Sequence, residues 1–181
     1  MFVHKIDEDL SLKLPELSDA EEFFRLTDSS REYLREWLPW LDGTNTVQDT
    51  KEFLKFALKN YSDQKSLTTL ILFKGEIVGT AGFNRIDWSN GIAYIGYWLG
   101  HDFQGNGIMT RVAKTLTCYA FEELKLNKVE IRAASGNQKS RSIPDRLGYV
   151  HEGRIRQAEK LYGRYVDHEV YGMLADDWKN G

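Results

Sequence analysis

The sequence predicts an α+β domain: one mixed, mostly antiparallel sheet of about seven strands with helices packed against it. Three observations carry that expectation. Apolar residues recur at helical spacing through the first third of the chain and switch to strand-like runs from Leu67 onward. A β-branched and aromatic segment, Ile92 to Leu99, leads through a glycine-bearing turn into a long helical stripe. The 181 residues hold no linker, repeat or low-complexity tract, so residues 1–181 read as one domain large enough to bury its own core.

Taken in order, Leu10, Leu12 and Leu14 alternate as a first strand that Pro15 stops. Ser18 and Glu21 have the spacing of a capping box opening a helix through Leu26. A second short helix covers Arg31 to Trp37 and breaks at Pro39. A third runs from Thr46 to Tyr61, with Phe53, Leu54 and Leu58 on one stripe. Strands follow at 67–73 and 77–86, joined by a turn at Lys74-Gly75-Glu76. Trp88-Ser89-Asn90-Gly91 then turns into the strand 92–99. Ile108, Val112, Leu116, Tyr119 and Ala120 mark the long helix that ends at Leu124. The remainder alternates: strand 128–134, short helix 140–147, strand 149–161, a turn at Tyr162-Gly163-Arg164 and strand 165–174.

Composition removes several function classes. A net charge of −3 argues against a general nucleic-acid binder. Residues 1–65 hold 14 acids and 9 bases, and residues 66–181 hold 13 acids and 15 bases. That asymmetry matches an anionic ligand in the second part and a cationic one near the first, and equally matches solvated helix faces. The single cysteine, Cys118, allows no internal disulfide and fits a reducing cytoplasm. Beside Val112 and Ala120, it reads as a core thiol rather than a nucleophile. No apolar run is long enough to cross a membrane and no signal-like N-terminus appears, so a soluble, cytoplasmic protein without a membrane partner is expected. His4, His101, His151 and His168 lie far apart and lack ligand spacing, so no metal site is expected.

The segment Phe103-Gln104-Gly105-Asn106-Gly107-Ile108-Met109 carries the chemistry. A glycine turn between strand and helix leaves backbone N–H groups unpaired and pointing one way, and the helix dipole adds to them, which suits a phosphate group. Thr110 stands where a dinucleotide fold would want its third glycine, and Gly-Lys-Ser/Thr of a nucleotide triphosphatase is absent. Glycines placed there for conformation alone are the bland alternative.

Three motifs in this order resemble the GNAT superfamily of acetyl-CoA-dependent N-acetyltransferases, and within it the RimJ/RimL type that acetylates ribosomal-protein N-termini. Gln104-Gly105-Asn106-Gly107-Ile108-Met109 is similar to the superfamily's pyrophosphate loop, departing where Met109 replaces a small residue. Tyr94-Ile95-Gly96-Tyr97-Trp98-Leu99 resembles that branch's strand leading to the loop. Asn137-Gln138-Lys139-Ser140, followed by Leu147-Gly148-Tyr149 and Glu152-Gly153, is similar to the second cofactor-contacting segment. The likeness is strong over residues 92–172 and thin over 1–65.

The resemblance implies a sheet splayed between its fourth and fifth strands, the ones ending at Leu99 and beginning at Lys128, with acetyl-CoA as co-substrate entering the gap. Its implied binding residues are Trp98, Leu99, Gln104, Gly105, Asn106, Gly107, Ile108, Met109, Asn137, Lys139 and Ser140. Its implied catalytic pair is Glu159, a base acting through water, and Ser140, a donor to the departing thiolate. Glu159 as a solvent-facing strand residue between Arg156 and Lys160, and Ser140 as a helix N-cap, remain the structural alternatives. The backbone N–H near Leu99 is the implied oxyanion donor. Trp37-Leu38-Pro39-Trp40 resembles an aromatic element of the branch and serves either as an acceptor wall or as a core or dimer contact.

An N-terminal amine titrates near about 7.7–8.0 and a lysine near 10.4, so a protein N-terminus asks less of a base. The resemblance to that branch, together with the acidic first third, implies a ribosomal-protein N-terminus as acceptor, with a homodimer as the family's common assembly. A small amine acceptor (polyamine or antibiotic) and a non-catalytic acyl-CoA-binding module are the competing functions.

Overall fold

Eight strands, not seven, form the sheet of the computed structural model, which describes residues 1–181. The extra strand is β1 (Val3–Lys5), three exposed residues without an alternating pattern, held only by antiparallel pairing with β2 (Leu10–Lys13). The sheet continues through β3 (Leu67–Phe73), β4 (Glu76–Asp87), β5 (Ile92–Leu99), β6 (Lys128–Ala134), β7 (Val150–Leu161) and β8 (Arg164–Leu174). Its spatial order is β1-β2-β3-β4-β5-β6-β8-β7. Every neighbouring pair is antiparallel except β5 with β6, which run parallel because the long helix α4 (Ile108–Glu122) crosses over between them.

Alternation along the strands divides the core between two faces. Leu70 and Ile77 point to one face, where they bury Ala20 and Phe23 of α1 (Ala20–Ser29) and Leu54 of α3 (Val47–Ser62). Ile71, the next residue, points to the other face with Phe83, Ile95 and Ile131. There α4 contributes Ile108, Val112 and Leu116, and α5 (Gln138–Arg146) contributes Ile143. Helix α2 (Arg31–Arg35) follows α1 and packs against it, and α6 (Ala175–Lys179) follows β8.

Local chemistry moved two expected starts and one expected stripe. The first capping box is Glu16 with Asp19, not Ser18 with Glu21, and it opens a 3₁₀ turn at Leu17–Asp19 that precedes α1. Lys13 explains the shift: its buried ammonium contacts Asp19 at 2.5 Å and Glu16 at 3.2 Å. Burial alone would pull that lysine's pKa down, but the two carboxylate hydrogen bonds outweigh it and leave the pKa raised. Helix α3 starts where expected, with Thr46 accepting from the Asp49 N–H. Its buried stripe, however, is Thr50, Leu54 and Ala57, while Phe53 stays 43% exposed. The third shift is in α5, which is capped by Asn137 rather than Ser140. Cys118 is half-buried on α4 rather than fully in the core.

Candidate functional site

Strands β5 and β6 pair only from Ile92 with Lys128 to Ile95 with Ile131. Beyond that point β5 stays with β4 as far as Leu99, and β6 stays with β8 as far as Ala134. The sheet therefore opens between them. The Gly100 N–H donates to the Val78 carbonyl at 2.8 Å, so by strand alternation the Tyr97 and Leu99 N–H groups face the opposite edge, into the gap. A cleft of ≈ 550 Å³ runs through this opening. Of the residues expected at the site, Trp98, Leu99, Gln104, Met109, Asn137, Lys139, Ser140 and Glu159 all line it.

Gly105, Asn106, Gly107 and Ile108 do not line the cleft; they form the turn at its rim. Gly105 and Gly107 have φ of +83° and +66°, the left-handed region that a side chain resists. Gly107 is the N-cap of α4 and supplies no side-chain acceptor. The N–H groups of residues 104–110 donate to no protein acceptor, while the first bond of the helix runs from the Arg111 N–H to the Gly107 carbonyl. The side chain of Asn106 turns inward instead, donating to the Phe103 and Gln104 carbonyls. Ile108 buries its side chain in the core and offers backbone outward, while Met109, almost fully buried, reaches the cleft wall. Arg111 braces the turn from behind: it donates to the Asn106 and Gly107 carbonyls and pairs with Asp7 at 2.5 Å. The result is a row of free amides at the positive end of a 15-residue helix, an anion cradle.

The other helix at the cleft satisfies its own N-terminus. Asn137 accepts from the Ser140 N–H at 3.2 Å, which leaves the Ser140 hydroxyl free of any capping role. Farther along α5, Pro144 lacks the N–H that would have reached the Ser140 carbonyl. The Tyr97 hydroxyl fills that vacancy, donating to the Ser140 carbonyl at 2.9 Å. Burial pushes the Tyr97 phenol up, so it stays a neutral donor. Strand β5 thereby fixes the position of Ser140 across the cleft.

Glu159 is neither fully solvated nor buried; its side chain is 28% exposed at the cleft wall. The β7–β8 ladder slips between Ile155 and Glu159, and the extra residues bulge with Gln157 at φ +48°. The Asp167 carboxylate accepts from the Gln157 N–H at 2.7 Å and holds the bulge. That slip brings His168 opposite Ile155, with its Nε2 3.3 Å from the Glu159 carboxylate. Sequence spacing presents His168 only as a candidate metal ligand. Hairpin register counted from the Tyr162-Gly163 turn puts Val166 opposite Glu159, as observed, but continued unslipped it would put Val170 rather than His168 opposite Ile155, and no residue pattern announces the bulge.

A second polar group supports this wall. Glu169 is buried and accepts from the Ser135 hydroxyl (2.7 Å), His151 Nε2 (2.6 Å) and Arg154 Nε (2.7 Å). The Ser135 hydrogen bond, then those of His151 and Arg154, hold its carboxyl down to about 2. Arg141 of α5 donates to the Ser135 carbonyl and to the Tyr171 hydroxyl, tying the 135–140 segment to β8. The aromatic segment contributes to the same cleft. Tyr33, Leu34, Trp37 and Leu38 line the cleft, and the Tyr162 hydroxyl donates to the Leu38 carbonyl at 2.6 Å. Trp40 instead leans on Trp98, away from the cleft.

No group of three or more His, Cys, Asp or Glu residues is placed to hold a metal ion, and no helix is long and apolar enough to cross a membrane.

Comparison with known proteins matches this geometry to one family. The family described as "Acetyltransferase (GNAT) domain" matches residues 9–150. YdaF of Bacillus subtilis (strain 168), provisionally named a ribosomal N-acetyltransferase, is 33% identical over 99% of this chain and 98% of its own. RimL, the ribosomal L7/L12 alpha-N-protein acetyltransferase, solved with coenzyme A, superposes with a TM-score of 0.91 at 27% identity, covering 97% of this chain and 99% of that one. The self-immunity acetyltransferase MccE, solved with acetyl-CoA and AMP, superposes with a TM-score of 0.89 at 30% identity over 94% of each chain.

Proposed function

This chain belongs to the GNAT acetyltransferase family, and on that premise we propose that it moves the acetyl group of acetyl-CoA onto the N-terminal amine of a ribosomal protein in the cytoplasm. That it is an acetyl-CoA-dependent N-acetyltransferase follows from the family. The acceptor and the residue roles below are our reading.

The observation that carries it is the continuity of one path. Free amides at 104–110 lie at the rim of a cleft that passes through the splayed strands and reaches Glu159. The amides suit a diphosphate, the exposed edge of β5 suits the amide-bearing pantetheine arm, and the far end suits a thioester.

Transfer forms a bond from the acceptor nitrogen to the acetyl carbon and breaks the carbon–sulfur bond, with one proton leaving the nitrogen and a thiolate departing. Glu159 takes that proton through a water, oriented by its contact with His168. The Leu99 N–H, aimed into the gap, stabilises the oxyanion. Ser140, held by Asn137 and Tyr97, offers its hydroxyl to the departing sulfur. An N-terminal amine is partly neutral at pH 7, which matches a single carboxylate as base.

Release of free CoA thiol with ribosomal-protein N-terminal peptides, paired with mass spectrometry of the product, tests this. Acetylation at the α-amine supports it; acetylation confined to lysine side chains or to no peptide contradicts it. A small-amine acceptor is the second reading. It is favoured by the comparable likeness to MccE, a self-immunity enzyme solved with AMP.

A further inference from the structure

Between Ile155 and Glu159 strand β7 takes four residue steps while β8 takes two, from His168 to Val166. The surplus bends the strand at the cleft wall. Ala158 and Glu159, neighbours that strict alternation would send to opposite faces, both line the cleft. Gln157 beside them does not; it is exposed and sits at φ +48°. A left-handed backbone is unfavourable for a residue with a side chain, so something must hold this one there. The contact that does so is the 2.7 Å bond from the Gln157 N–H to the Asp167 carboxylate.

Three residues beyond Glu159 a second side chain is carried on left-handed backbone. Tyr162, at φ +45°, opens the two-residue turn to β8. Its hydroxyl accepts from the Leu41 N–H at 3.2 Å and donates to the Leu38 carbonyl, which fastens the turn to the aromatic segment. Glu159 therefore lies between two strained residues, each tied down from outside its own strand. Strain of this kind persists where the surroundings over-determine it, and it gathers at functional sites.

Asp167 does not itself line the cleft, yet it joins both halves of the site. Its carboxylate holds the bulge that carries Glu159, and its backbone carbonyl accepts at 2.9 Å from the Ser135 N–H, ahead of the turn that leads to Ser140. Resting on the acetyl-transfer reading above, we propose that Asp167 is a positioning residue for the base: by gripping the Gln157 N–H it keeps the bulge strained and Glu159 aimed into the cleft beside His168. Released from that bond, the exposed Gln157 amide takes water as its partner and the backbone returns to negative φ. The Glu159 carboxylate then swings out of place, and a displacement of about 1 Å in a reacting group costs about 10²-fold in rate.

The test measures kcat by release of free CoA thiol with the fastest amine acceptor, together with the KM for acetyl-CoA. Asp167→Ala should lower kcat by about 10²-fold and leave that KM unchanged. Asp167→Asn, which keeps an acceptor oxygen for the Gln157 N–H, should recover most of the loss. Gln157→Gly, which removes the strain, should recover it in the Asp167→Ala background. The deciding readout is a double-mutant cycle. On top of Glu159→Gln, Asp167→Ala should change the residual kcat by less than about twofold, because a residue acting through Glu159 has nothing left to place. A carboxylate that only stabilises the fold would subtract its full effect again. Should Asp167→Ala not fold, Gln157→Val applies the displacement from an exposed position by putting a β-branched residue at φ +48°, with the same fall in kcat expected. Three results would overturn the proposal while acetyl transfer stands: unchanged kcat in the folded variants, a loss that neither Asp167→Asn nor Gln157→Gly recovers, or a loss that persists in full beside Glu159→Gln. No turnover by the unaltered protein, or full activity of Glu159→Gln, would overturn the proposal and the reading beneath it together.

Discussion

Two helices present their N-termini to the same cleft, and they treat their backbone amides in opposite ways. The first turn of α4 is capped by a glycine and leaves a row of N–H groups without protein partners. The first turn of α5 is capped by the Asn137 side chain, which accepts from Ser140. An uncapped terminus costs stability, so it persists where a ligand completes it. A capped terminus serves to position a side chain, and here the side chain is Ser140. The contrast separates cofactor binding, assigned to backbone at α4, from chemistry, assigned to side chains at α5 and β7.

The largest expected effect lies on the side-chain half. Glu159→Gln should lower kcat by about 10²–10⁴-fold with little change in acetyl-CoA affinity, as removal of a general base does. Steady-state CoA release and calorimetric binding together check this, and equal losses in both would merge the two halves.

On the backbone half, Gly107→Val forces a β-branched residue to φ +66° and crowds the amide row. Acetyl-CoA affinity should fall by about tenfold or more, given a strain of about 1–2 kcal/mol. Isothermal titration calorimetry reads it, with the melting temperature as control. Full affinity would show that the turn's conformation does not matter for binding.

The α5 terminus offers a sharper pair. Asn137→Ala should destabilise the fold by about 1 kcal/mol through loss of the cap. Ser140→Ala should leave stability within about 0.5 kcal/mol, as a substitution away from any cap or core packing does, yet slow turnover. Urea unfolding of both variants decides it; the reverse pattern would return Ser140 to the role of cap.

The smallest effect concerns pH. The Glu169 carboxyl is held below the ordinary carboxylate range in the folded chain, so its contribution is present above the unfolded pKa and is lost as pH falls toward about 2. Thermal melts between pH 6 and about 2 should therefore converge for the unaltered protein and Glu169→Gln as pH drops. A constant gap would mean that ionisation of Glu169 contributes nothing.

Where period and glycine punctuation dominate, the sequence was legible. The bounds of β3, β5 and β6 and the amphipathic stripe of α4 follow from residue type alone, as does the turn at 104–107. What escaped depends on long-range geometry. Strand β1 is too short and exposed to carry a pattern, and α6 is a five-residue turn. The cap of α5 fell on Asn137 because Tyr97, from another element, compensates for Pro144 and lets the helix begin earlier. His168 reaches Glu159 only through a bulge held by Asp167, a tertiary contact that one-dimensional spacing does not encode.

The most direct measurement is a titration of acetyl-CoA into ¹⁵N-labelled protein, followed on assigned backbone amides. The resonances of Gly105, Asn106, Gly107, Ile108 and Met109 should shift most and saturate with binding, while that of Ser140, already bonded to Asn137, should shift less. Saturable binding that leaves residues 104–110 unmoved would contradict the assignment of the phosphates to these amides.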